Sequence, residues 1–158
     1  MSRNLPVNAG RISADIEALS TITEPGHPWT RRAFSPLFLE GRAYLEARMR
    51  AIGLDTRIDP SGNLIGRREG AKPGSGIIML GSHSDTVPDG GRFDGIAGVA
   101  AALEVARALR EQEIHLDHDL EIVDFLAEEV SIFGVSCIGS RGISGTRPPE
   151  WLNRTNDR

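Results

Sequence analysis

The run Ile77-Ile78-Met79-Leu80 is apolar at every position and then breaks into Gly81-Ser82-His83-Ser84-Asp85. A strand with one face in water alternates apolar and polar residues. One that is apolar on both faces is expected in the middle of a sheet covered by other layers. The run therefore calls for a layered α/β arrangement in which helices supply the cover. Three helices can be read. Ile12, Ile16 and Leu19 recur at helical spacing over residues 8–21. Ser35-Pro36 opens the second, with Ser35 as N-cap and Pro36 at the first helical position. Phe38, Leu45, Met49 and Ile52 form its buried stripe, and Gly53 ends it. Residues 95–110 form the third. There Ile96, Val99, Leu103 and Ala106 line one side, and Ala97, Gly98, Ala100, Ala101 and Ala102 allow close packing at the start.

Strands fall between them. Residues 54–58 and 63–67 flank the turn Asp59-Pro60-Ser61-Gly62 and read as a hairpin. Residues 120–126 read as a further strand, less uniformly apolar. Residues 23–34, with Pro25, Gly26, Pro28 and Trp29, read as a loop, as does Pro148-Pro149-Glu150-Trp151-Leu152-Asn153-Arg154. The glycine-spaced stretch after Glu129 carries no assignable pattern. The fold class is α/β, a layered sheet with flanking helices.

Composition removes several function classes. A net charge of −4 and the lack of any basic run argue against a nucleic-acid partner. Arg31-Arg32, Arg67-Arg68 and Arg147 read as solvated surface. No apolar run approaches the roughly 20 residues of a membrane span. The amino-terminal Met1-Ser2-Arg3-Asn4-Leu5-Pro6 lacks the apolar core of a signal peptide. A cytoplasmic protein with no membrane partner is expected. Cys137 is the single cysteine. It rules out an intrachain disulfide, leaves any metal centre to nitrogen and oxygen donors, and reads as a small buried residue.

Three short stretches carry chemistry. His83 and Asp85, two residues apart past the apolar run, point the same way if the backbone stays extended. His83 can then offer one ring nitrogen to a metal while the Asp85 carboxylate accepts the N–H of the other. An ordinary solvated polar loop accounts for the pair equally well. Asp94, just before the third helix, is either its N-cap or a carboxylate bridging two metal ions. In the second case Gly90, Gly91 and Gly95 would let the backbone come close to the ions. Adjacent residues at a strand end point different ways. In Glu128-Glu129 one carboxylate can bind metal while the other serves as a general base, and a solvated acidic turn is the alternative. A two-metal site that leaves each ion an open position needs about six protein ligands, more than these stretches supply.

The segment Gly81-Ser82-His83-Ser84-Asp85-Thr86-Val87-Pro88-Asp89-Gly90-Gly91-Arg92-Phe93-Asp94-Gly95 closely resembles one branch of the dinuclear zinc aminopeptidase/carboxypeptidase clan. That branch contains N-carbamoyl-L-amino acid hydrolases, allantoate amidohydrolases and β-ureidopropionases. Ala127-Glu128-Glu129 with Phe133-Gly134-Val135-Ser136-Cys137-Ile138-Gly139-Ser140-Arg141 matches the same branch, as does Asp59-Pro60-Ser61-Gly62-Asn63-Leu64-Ile65-Gly66. The resemblance spans residues 11–151.

It implies a hydrolase-type zinc peptidase catalytic domain that cleaves a C–N bond in a ureido or amide group. Two divalent ions, zinc or else manganese or cobalt, would activate the water. His83 would bind one metal, Asp94 would bridge, and Glu129 would bind the second. Glu128 would be the general acid/base, and Asp85 would orient His83. The resemblance also implies that residues 1–158 are the N-terminal part of that domain. The remaining histidine ligands, and an inserted lid domain that makes a homodimer, would lie outside them. Alone the chain is expected to bind metal weakly and turn over negligibly.

Where many members carry Gly and Arg, this chain has Val130-Ser131-Ile132, which bears on substrate identity. His27 lies in a Pro/Gly loop. His115 and His118 follow the third helix, on the side of the sheet opposite the site's strand ends, and read as a solvated connection. Two other readings are an N-acyl amino acid or dipeptide hydrolase of the same clan, and a non-catalytic α/β interaction module.

Overall fold

The computed structural model describes residues 4–156. Residues 1–3, part of the amino-terminal stretch discussed above, and residues 157–158 lie outside it. In chain order the elements are helix α1 (Ala9–Thr21), helix α2 (Pro36–Ala51), strands β1 (Asp55–Ile58), β2 (Leu64–Arg68) and β3 (Ile77–His83), helix α3 (Ile96–Glu111), strand β4 (Asp119–Phe125) and the short helix α4 (Ile138–Ile143). The helix ends follow local chemistry. Ser35 accepts a hydrogen bond from the Phe38 amide, and Gly53 takes φ 77° just past α2. The tail forms a 3-10 turn over Pro149–Asn153, where the sequence pointed to a loop.

The four-stranded sheet has the order β1-β2-β4-β3. β1 and β4 both run antiparallel to β2, and β3 is parallel to β4. A parallel pair needs a crossover, and α3 provides it. One core joins the helices to the sheet: Ile16 and Leu19 of α1, Leu45 and Met49 of α2, Val99 and Leu103 of α3, and Leu64, Leu120 and Ile122 of the strands. A buried ionic lattice adds to it. Asp15, fully buried, accepts from Tyr44, Arg48 and Arg107, and the Glu104 carboxylate holds the Asn8 amide and Arg11.

Two expectations are corrected. β3 is not in the middle of the sheet. It is an edge strand, with Ile77 52%, Ile78 38% and Met79 39% exposed. The buried position belongs to β4, whose five central residues are all buried. β4 tolerates this because its charged residues have partners. Glu121 meets Arg57 at 2.8 Å, and Asp124 meets Arg42 at 3.1 Å. Arg31, read as surface, is 1% exposed. Its guanidinium donates to the carbonyls of Leu19, Ile22 and Ser84, so it ties the end of α1 and the loop after it to the exit of β3. Among the described residues no helix is long and apolar enough to cross a membrane.

Candidate metal centre

The carboxyl ends of β3 and β4 lie side by side, with His83 in register with Phe125. Sites in α/β sheets form at such ends. His83 is the last residue of β3, and its side chain is 7% exposed. Its Nδ1–H donates to the carbonyl oxygen of Asp85 at 3.0 Å, which leaves Nε2 facing outward. From there Nε2 lies 3.4 Å from Glu128 Oε2 and 3.9 Å from Asp94 Oδ1.

Asp85 holds the imidazole through its backbone carbonyl rather than through its carboxylate. Its carboxylate stands 3.6 Å from Nδ1, beyond a hydrogen bond, and the backbone carbonyl takes the imidazole proton instead. The two carboxylate oxygens accept the amides of Glu128 at 3.3 Å and Glu129 at 3.2 Å. Those amides sit at a kink where Ala127, fully buried, takes φ 46°, and buried N–H groups at such a bend need an acceptor. One residue thus clamps two of the three stretches together.

The Glu128-Glu129 loop is held from its other side too. The carbonyls of Leu126, Ala127 and Glu128 accept in turn from the amides of Gly139, Ile138 and Cys137, at 2.8, 3.0 and 2.8 Å. Asn63, fully buried, ties the hairpin turn to the same place through the Leu126 amide and the Gly139 carbonyl. Cys137 is half-buried rather than buried, and its thiol lies 3.5 Å from Glu128 Oε1. Val130 is exposed, and Ser131 closes the loop on the Val135 carbonyl.

Asp94 is not a helix cap. Gly95 occupies the N-cap of α3 with no side-chain cap bond, and the Asp94 side chain is 62% exposed toward the imidazole. Of the three glycines expected to permit close approach, Gly95 is the one this site requires. It has φ 65°, and a Cβ there would come within 2.5 Å of His83 Cε1, Nε2 and O.

The electrostatics follow from the crowding. Burial disfavours charge on His83, yet the Asp85 carboxylate and carbonyl and the Glu128 carboxylate outweigh it, and its pKa is pushed up to about 9. Burial, joined by Asp94, Glu128 and Asp85, raises that of Glu129 against the opposing pull of His83. An imidazole nitrogen facing several carboxylates is a donor set that suits a divalent ion of borderline softness. Two donors bound at about 2 Å to one tetrahedral ion stand about 3.3 Å apart, somewhat less than the 3.9 Å from Nε2 to Asp94 Oδ1. The set is open, though. Among the described residues no three His, Cys, Asp or Glu side chains already enclose a metal position. His27 pairs with Asp89 at 3.2 Å on the surface, away from these groups.

Two features behind the site were not read from the sequence. Ser84, between His83 and Asp85, is fully buried, and its hydroxyl donates to Asp124 Oδ2 at 3.0 Å. Burial pushes the Asp124 carboxyl up to about 6, with Arg42 and Ser84 pulling the other way. The signal available was a pair of acidic residues, Glu121 and Asp124, within a strand whose other residues after Asp119 are apolar.

The profile of peptidase family M28 matches residues 63–156. The N-carbamoyl-L-amino-acid amidohydrolase of Pseudomonas sp. (strain NS671) is 36% identical over 98% of this chain and 38% of its own length. A ureidoglycolate hydrolase of Oryza sativa subsp. japonica is 36% identical over 89% of the chain and 29% of its own length. The crystal structure of a hydantoinase/carbamoylase family amidase from Burkholderia ambifaria superposes with a TM-score of 0.89 at 35% identity, covering 97% of this chain and 38% of that one. The chain therefore spans about a third of the length of these relatives.

Proposed function

The chain belongs to peptidase family M28, and from that premise we propose that it forms the N-terminal part of the catalytic domain of a divalent-metal amidohydrolase. Its substrate is a small ureido compound, an N-carbamoyl amino acid or an allantoate-like molecule, and the bond cleaved is C–N. The observation that carries this reading is the approach of His83 Nε2 to both Asp94 and Glu128 at the joined ends of β3 and β4.

His83 and Glu129 would each hold one of two ions, zinc or else manganese or cobalt, with Asp94 between them. When bound, the ions polarise the scissile carbonyl and make water more acidic. Glu128 takes a proton from the attacking water on Oε2, the oxygen turned toward the imidazole, and returns it to the leaving nitrogen. Asp85 fixes where Glu128 and Glu129 sit by accepting both their amides. The exposure of Asp94 and the open donor set support negligible turnover by these 158 residues alone. An unpaired cysteine fits a reducing, cytoplasmic compartment. Homodimerisation of the longer protein, which the resemblance ties to a further domain, belongs to the same proposal.

A chimera tests the function. Residues 1–158 replace the corresponding part of the Pseudomonas relative, to which 98% of the chain aligns. Hydrolysis of N-carbamoyl-L-amino acids or allantoate by the chimera, abolished by Glu128→Gln, is the expected result. A folded chimera that cleaves only N-acyl amino acids or dipeptides would move the substrate class. One with no hydrolytic activity would remove the enzymatic reading.

A further inference from the structure

The segment that carries His83 and Asp85 is anchored from behind by groups that never face the site. Asp124 lies on β4, paired in register with Ser82, and is fully buried. Its Oδ2 receives Ser84 Oγ at 3.0 Å and Arg42 Nε at 3.1 Å. Arg42 reaches in from α2, lies over the Phe38 ring, and also donates to the Asp124 and Gly62 carbonyls. The Ser84 carbonyl accepts from Arg31 at 2.9 Å, and Thr86 exchanges two further hydrogen bonds with the Arg31 backbone. The site side chains and the anchoring side chain thus belong to consecutive residues of one short segment.

A buried carboxylate is a poor device for stability alone. A well-packed apolar residue is often equal or better there, and Asp124 Oδ1 has no hydrogen-bond partner. What the arrangement does provide is direction. It fixes Ser84, and with it the backbone between the imidazole and the carboxylate that clamps Glu128-Glu129. Resting on the metal-centre reading above, we propose that Asp124 is a positioning residue: held by Arg42, it grips Ser84 and so sets His83 and Asp85 in place for the ion. It touches no reacting atom.

The test uses the full chain, Co²⁺ as probe, and Ser84→Ala and Asp124→Asn, with Ile16→Val as a remote core control of modest stability cost. Partners that orient metal ligands typically contribute 10–100-fold in affinity. Both site variants are expected to bind Co²⁺ at least about tenfold more weakly, with an altered visible absorption spectrum. In the metal-free protein they should shift the Glu128 and Glu129 amide resonances, while Ile16→Val leaves all three readouts unchanged. Variants that fold with affinity, spectrum and resonances like the parent overturn the proposal, whatever their thermal stability. If the parent itself takes up no Co²⁺, the metal-centre reading fails, and the amide resonances decide on their own. Shifted by both variants and not by the control, they uphold the anchoring role; unshifted, they end it.

Discussion

His83 is held by two opposed demands. Its Nδ1–H is committed to the Asp85 carbonyl, and its Nε2 looks onto carboxylates that favour a cation. In the metal-free chain the cation is a proton, and the pKa rises from 6.5 to about 9. The folded state therefore binds that proton more tightly than the unfolded state does. The resulting stability is fully present below about pH 6.5 and is lost as pH rises through about 9. Urea denaturation of the metal-free chain at the two ends of this window should show a fall in stability. His83→Ala should flatten it. An equally steep fall in the variant would assign the effect to another group.

Among the elements, β3 shows where reading a sequence runs out. The helices were legible because their signals are local: Ser35 and Pro36 at one end of α2, Gly53 at the other, and a repeating stripe between. Strand order is not local. Ile77, Ile78 and Met79 carry the composition of a central strand, yet β3 lies at the edge, and β4, with Glu121 and Asp124, lies inside. The reversal depends on Arg57 and Arg42, which come from β1 and α2 and whose reach no pattern within β4 could announce. An open, apolar edge is a template for pairing with another chain. Ile77→Lys, at a position 52% exposed, should lower self-association in sedimentation velocity while changing stability by only about 0.5 kcal/mol. Undiminished association in that variant would place the sticky surface elsewhere.

For the molecule as a whole, one end of the sheet gathers all three motif stretches, and this much could be anticipated, since each stretch follows a strand or precedes a helix. The role of the Asp85 carboxylate could not. Its acceptance of the Glu128 and Glu129 amides depends on the kink at Ala127, a feature of backbone path rather than of residue type. The burial of Arg31 is hidden from the sequence for a similar reason. Its surroundings are carbonyls from α1, the following loop and the β3 exit, and carbonyls leave no mark on a sequence. The proposed centre requires His83, Asp94 and Glu129 to take up a divalent ion where the two strands end. A calorimetric titration of the chain with Zn²⁺, parent against His83→Ala, addresses this most directly. Saturable binding by the parent, weakened at least about tenfold in the variant, is the predicted result. Equal uptake by both proteins, or none by the parent, would contradict it.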